Sequence, residues 1–228
     1  MSYVLENWSF DPFLVVVAAI VLLHELGLRN LHRRSRPGRS RARRRKSLLF
    51  YSGLGVLLLA VASPIDYWAS DYFFVHMIEH ILLMFVAPIL IVAGAPWLPL
   101  VHGLPVGIRR RLGRALLLGS WARPLRAVGR FVSNGVVAVL LFNVSMVLWH
   151  IPVLFDIAER NQAVHIWLMH GSFFVAGVLF WLQLIASYPI KPKLSTLGGI
   201  WAILASNGAM IVLAMSLSIL SSASWYSV

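Results

Sequence analysis

The stretch FFVHMIEHILLMFVAPILIVA, residues 73–93, decides the fold class of this chain. Its only ionisable side chains are those of His76, Glu79 and His80. A helix needs about 20 apolar residues to cross the hydrocarbon core of a bilayer, so Phe73–Ala93 predicts a membrane span. Similar runs predict further spans at Pro12–Leu28, Leu48–Ser63, Phe131–His150, His165–Ala186 and Thr196–Leu220. We therefore predict an all-α, polytopic transmembrane helix bundle of about six spans, which forms a single domain over residues 1–228.

The composition of the whole chain is also that of a membrane protein. Hydrophobic residues make up 59% of the 228 positions and charged residues only 12%. Soluble domains contain roughly twice that share of charged residues. The chain has no cysteine, which excludes disulfides and thiolate metal ligands. Any metal chemistry must therefore use histidine, methionine or carboxylate ligands.

The positions of the basic residues predict the orientation of the chain in the membrane. Ten of the 20 lysines and arginines lie in a predicted inner loop, residues 29–46, and seven in a second, residues 102–130. Lys191 and Lys193 lie in a third inner loop, which leaves Arg160 outside. Cytoplasmic loops carry this excess of positive charge, so we predict that both termini lie outside. Anionic membrane lipids are the expected partners of the basic loops, and nucleic acid is not, because no interleaved aromatic residues or recognisable binding module accompany them.

The acidic residues concentrate on the opposite side. Six of the eight fall on the predicted outer side: Glu6, Asp11, Asp66, Asp71, Asp156 and Glu159. Either these acids have no function of their own and lie outside only because the basic residues lie inside, or they form an anionic vestibule that concentrates cations.

Five of the eight histidines are predicted to lie at one depth, in the outer third of the membrane: His76, His80, His150, His165 and His170. His76 and His80 are i and i+4, so their imidazoles share one helix face, with Glu79 on the flank. His165 and His170 are about 140° apart on an ideal helix, so we expect that they do not hold one ion together. Ionisable groups inside spans are functional candidates because burying them without a partner is costly. A histidine in a span can also be simply an interhelical hydrogen-bond partner.

Three of these histidines have a methionine one helical turn away. The i,i+4 pairs are His80 with Met84, Met146 with His150, and His165 with Met169. Imidazoles and thioethers without thiols suit copper, especially Cu(I), better than magnesium or calcium. We therefore predict a copper site at which His150 meets His76 and His80 from the neighbouring span at the same depth, with Met84 or Met146 in reserve. The further candidate ligands are His165, His170 and Met169.

The sequence also resembles the CtaG-like cytochrome c oxidase assembly factors. The resemblance rests on FFVHMIEHILLMFVAPILIVAGAP (residues 73–96), LWHIPVLFD (148–156) and HIWLMHGSFFVAGVLFW (165–181), together with WSFDP (8–12) and SPID (63–66). It implies a bacterial plasma-membrane protein that helps to mature a haem–copper oxidase, plausibly at its copper centres, with cytochrome c oxidase subunits as partners. It also implies that the five clustered histidines correspond to those of the family.

Two other functions compete with a non-enzymatic copper-binding assembly factor. One is a membrane cytochrome in which two histidines such as His80 and His170 ligate haem b. The other is a respiratory-complex subunit whose histidines are merely structural. Catalysis is not favoured, since no nucleophile–base pair or carboxylate pair stands out.

Overall fold

The computed structural model describes residues 12–32, 40–63, 65, 68–69 and 72–220. Ten helices follow one another along these residues, and the described residues form no β-strand. They are α1 (Pro12–His32), α2 (Ser40–Ala62), α3 (Phe73–Gly94), α4 (Trp97–Gly103), α5 (Val106–Leu118), α6 (Arg123–Val132), α7 (Gly135–Leu148), α8 (Pro152–Arg160), α9 (Val164–Trp181) and α10 (Thr196–Leu220). The predicted all-α class is confirmed.

Five of these helices, α1, α2, α3, α9 and α10, are long and apolar enough to cross a membrane. A sixth span results if α6 and α7 are counted together, although the two are bent by 79° at their junction. The protein is a multi-pass membrane protein, and its five or six candidate spans agree with the predicted number.

The predicted fourth span, Phe131–His150, needs correction at its start. Helix α7 begins only at Gly135, because the side chain of Asn134 accepts hydrogen bonds from the backbone N–H groups of Val136 and Val137 and caps the helix. The 14 residues of α7 are too few to cross a bilayer unaided. The first predicted basic loop is also shorter than 29–46, since α1 continues to His32 and α2 begins at Ser40.

Glycines allow the helices to approach closely. A Cβ atom on Gly27 of α1 would lie 1.7 Å from the carbonyl oxygen of Pro99 in α4, and one on Gly103 would lie 2.0 Å from that of Leu23. No side chain fits there, so the backbones of α1 and α4 are in direct contact. Helix α2 packs on the second half of α3, and α9 packs against both α3 and α7.

Helices α3 and α9 each contain a π-helical turn, at Leu82–Val86 and Val164–His170. In α3 the wide turn lies directly before Pro88, whose ring would clash with the preceding turn of a regular α-helix. The π turn therefore lets α3 continue past the proline to Gly94 as one span.

Some predicted features lie outside the described residues. These are the acids Glu6, Asp11, Asp66 and Asp71, residues 8–11 of the WSFDP stretch, and Pro64 and Asp66 of SPID. The sidedness of the chain, with both termini outside, stays a prediction.

Candidate metal centre

Three helices bring the five predicted histidines together. Helix α3 supplies His76 and His80, helix α9 supplies His165 and His170, and His150 lies just beyond the end of α7. All but His165 are buried, with exposed fractions of 6% or less. The starts of α3 and α9 and the end of α7 meet at the same end of the bundle because α9 packs on both other helices.

Four of the imidazoles form a closed arrangement, which we call the histidine quartet: His76, His80, His170 and His165. Successive ring centres around it are 4.2, 5.7, 4.3 and 5.3 Å apart. A metal–nitrogen bond of about 2.0 Å would put neighbouring imidazole centres around one four-coordinate ion roughly 4.5 to 5.2 Å apart. The ring-centre distances of the quartet fall on both sides of that range. The ligand atoms that lie within 4.8 Å of one another form two groups of three, His76 with Glu159 and His165, and Glu79 with His165 and His170. His150 lies at its edge, with its ring centre 5.7 Å from that of His80.

Two glutamates face the quartet. Oε1 of Glu159, on α8, lies 2.9 Å from Nδ1 of His165 and 3.7 Å from Nδ1 of His76. Oε1 of Glu79, which is fully buried, lies 3.4 Å from Nδ1 of His170. A histidine that binds a metal usually donates its other ring N–H to a carboxylate, which fixes the ring and its tautomer. Both glutamates lie next to a ring nitrogen on the side where such a carboxylate is found.

The opposite edges of these imidazoles are the ones available to an ion. The Nε2 atoms of His76, His80 and His170 are buried and have no hydrogen-bond partner in the described part of the chain. Leaving buried polar atoms in this condition costs free energy. This is the arrangement expected of metal ligands: Nδ1 of His76 and His170 lies near a carboxylate, and Nε2 has no hydrogen-bond partner among the described residues.

The 140° separation expected for His165 and His170 is wrong, whereas the expectation that they do not hold one ion together stays a prediction. Their ring centres are 4.3 Å apart, and both lie within one group of three possible ligands together with Glu79. The π turn at Val164–His170 is the reason. Residues i and i+5 share a face in a π-helix, whereas an α-helix would separate them widely.

The three predicted methionine ligands lie in the apolar core. Met84, Met146 and Met169 are each at most 4% exposed and belong to the core cluster. Met146 touches the site through its carbonyl oxygen, which lies 2.6 Å from Nδ1 of His150. A ligand role for the thioethers stays a prediction.

Sequence reasoning placed Glu79 on the flank of His76 and His80 but counted neither it nor Glu159 as a member of the site. The position of Glu79 inside a membrane span was a usable signal, because a carboxylate there needs a partner. Nothing in the sequence pairs Glu159 with His165. The two meet because α8 turns back into α9 at Asn161, whose side chain caps the new helix at the N–H groups of Ala163 and Val164.

Glu159 lies outside the candidate spans, and its electrostatic surroundings favour the charged form. Burial raises the pKa of this carboxyl, but the hydrogen bond from His165 and the charges of His165 and His76 lower it by more. The net result is a pKa below the ordinary value, so the site has a carboxylate at neutral pH.

Comparison with known proteins identifies the family. The sequence pattern of the cytochrome c oxidase caa3 assembly factors matches residues 22–227, which include every histidine and glutamate of the site. The protein belongs to this family. Its members are described as assembly factors, which agrees with the resemblance seen in the sequence.

Two curated relatives cover nearly the whole chain. An uncharacterized protein of Mycobacterium bovis and one of Mycobacterium tuberculosis are each 29% identical over 234 residues, or 99% of this chain. The chain spans only 34% of the length of each relative. No solved structure matches it.

Proposed function

We propose that this caa3 assembly factor binds copper as cargo at the histidine quartet and passes it to a cytochrome c oxidase that is being assembled in the bacterial plasma membrane. The observation that carries the proposal is the quartet itself. Four imidazoles lie with neighbouring ring centres 4.2 to 5.7 Å apart, and the buried Nε2 atoms of three of them, His76, His80 and His170, have no hydrogen-bond partner among the described residues. Glu159 lies beside Nδ1 of His165, and Glu79 beside Nδ1 of His170.

The donor set fits copper. Imidazole nitrogen binds copper and zinc well, and a given nitrogen site generally prefers Cu²⁺ among the divalent first-row metals. Buried imidazoles in an apolar surrounding, with no anionic sulfur, also suit the singly charged Cu(I) because less charge has to be taken out of water. The carboxylates then orient the imidazoles and balance the charge of the ion.

The site is less suited to the alternatives. A bis-histidine haem would use two of the imidazoles and require a flat porphyrin between them, whereas here four imidazoles lie close together with two carboxylates beside them. A purely structural role for the histidines would lead one to expect their nitrogens to be paired with other polar groups. An absorption spectrum distinguishes a copper carrier from a cytochrome, since only the purified cytochrome has a Soret band.

The direct test is copper binding by the purified protein. Wild-type protein in detergent should bind one Cu(I) per chain in competition with a chromogenic chelator. The double variant His76→Ala/His80→Ala should lose the binding, because half of the quartet is gone. His102→Ala is the matched control, since His102 lies in α4 and contacts the carbonyl oxygen of Leu98 instead. Wild-type copper content in the double variant would refute the site.

The client is tested in cells. Deleting the gene should lower the copper content and activity of the oxidase under limiting copper, and the double histidine variant should fail to restore them. Normal oxidase in the deletion strain under limiting copper would refute the assembly role, even if the purified protein binds copper.

A further inference from the structure

We propose that copper reaches the quartet through an outer station formed by Glu159 with His76 and His165. This inference rests on the proposed function and adds a route to it. The outer station is a set of ligand atoms at the water-facing side of the site, where an ion is first captured and then handed inward.

The described residues contain two overlapping groups of possible metal ligands. The first consists of His76, Glu159 and His165, and the second of Glu79, His165 and His170. In each group the three ligand atoms lie within 4.8 Å of one another. His165 belongs to both, so the two groups adjoin and the same imidazole serves each of them.

Exposure to water orders the two groups. The side chains of Glu159 and His165 are 14% and 15% exposed, whereas those of His170 and Glu79 are 2% and 0% exposed. Glu159 is also on the short helix α8, outside the candidate membrane spans. A cation that arrives from water therefore meets the Glu159 carboxylate first, and that negative charge favours its capture.

The two positions of the ion exclude each other because they share imidazoles. A neutral imidazole carries one proton and offers one lone pair. At the outer station, Oε1 of Glu159 and Nδ1 of His165 bind the ion and the imidazole proton is on Nε2. When the ion moves to Nε2, the Nε2 proton passes to water, and Nδ1 takes up a proton from water and donates it in a hydrogen bond to Glu159, across the present 2.9 Å contact. No electron is exchanged and no proton is lost, and one chain holds one ion at a time.

The test is the rate of loading in a Glu159→Gln variant. Glutamine has nearly the same shape and keeps an oxygen that accepts from His165 Nδ1–H, but it lacks the negative charge and is a poorer ligand. Transfer of Cu(I) from its coloured bicinchoninate complex to detergent-purified protein is followed by stopped-flow absorbance. We expect loading to slow at least tenfold, while the equilibrium dissociation constant changes less than threefold and the stoichiometry stays one.

Asp156→Asn is the matched control, because it removes the same charge from the same helix and belongs to neither ligand group. It should load at close to the wild-type rate. Three results would overturn the outer station: normal loading by Glu159→Gln, equal slowing by Asp156→Asn, or loss of equilibrium affinity in Glu159→Gln as large as in the double histidine variant. Wild-type protein that binds no copper refutes the proposed function, and the outer station with it.

Discussion

Replacing Glu79 by glutamine tests whether its carboxylate orients the quartet. Glu79 has an exposed fraction of 0%, and its Oε1 atom is 3.4 Å from Nδ1 of His170. The substitution conserves volume, so it leaves no cavity, and what it removes is the carboxylate beside Nδ1 of His170. Loss of such an outer carboxylate typically weakens metal binding 10- to 100-fold, which corresponds to about 1.4 to 2.8 kcal/mol.

The assay is a Cu(I) competition titration at fixed pH, with the thermal unfolding midpoint measured on the same sample. We expect the dissociation constant to rise within that range while the midpoint of the apoprotein does not fall, because a buried carboxylate is itself costly to fold around. Glu25→Gln is the control, since the Glu25 carboxylate accepts a hydrogen bond from Tyr51 and lies apart from the quartet. Unchanged copper affinity in Glu79→Gln would refute the orienting role, and complete loss would mean that Glu79 is itself a ligand.

Three further predictions concern pH, packing and topology. Copper affinity should fall with decreasing pH once the histidines of the site take up protons, because protons compete for the same imidazole nitrogens; copper that stays bound after those histidines are protonated would exclude histidine ligands. Gly27→Ala should lower the free energy of unfolding by about 1–3 kcal/mol or more, and the thermal midpoint with it, since its Cβ would meet a backbone carbonyl at 1.7 Å. Gly55→Ala, whose Cβ meets nothing within 4 Å, should not lower it. In this cysteine-free chain, a single cysteine at Lys191 should be protected from an impermeant thiol reagent in intact cells and one at Asp156 labelled; the reverse pattern would invert the predicted topology.

Local features of the sequence were enough to predict the membrane class, the number of spans and the grouping of five histidines at one end of the bundle. The apolar runs predict helices because a bilayer offers no water to hydrogen-bond an open backbone. The i,i+4 spacing of His76 and His80 predicts a shared face, and their ring centres are indeed 4.2 Å apart. Thr196–Leu220 was predicted with the same bounds that the structure has, since the ends of one long apolar run determine where the helix starts and ends.

The tertiary structure decided which groups complete the site. His165 and His170 face each other because α9 begins with a π turn, and the wider turn is not encoded in the spacing that an ideal α-helix assumes. Glu159 reaches His165 because α8 folds back at Asn161, a long-range consequence of how two helices pack. Hydrophobic periodicity reports which residues leave water, but the pairing of side chains on different helices depends on helix rotation and approach. Those are set by contacts such as Gly177 against the backbone of Met84, which only the folded chain contains.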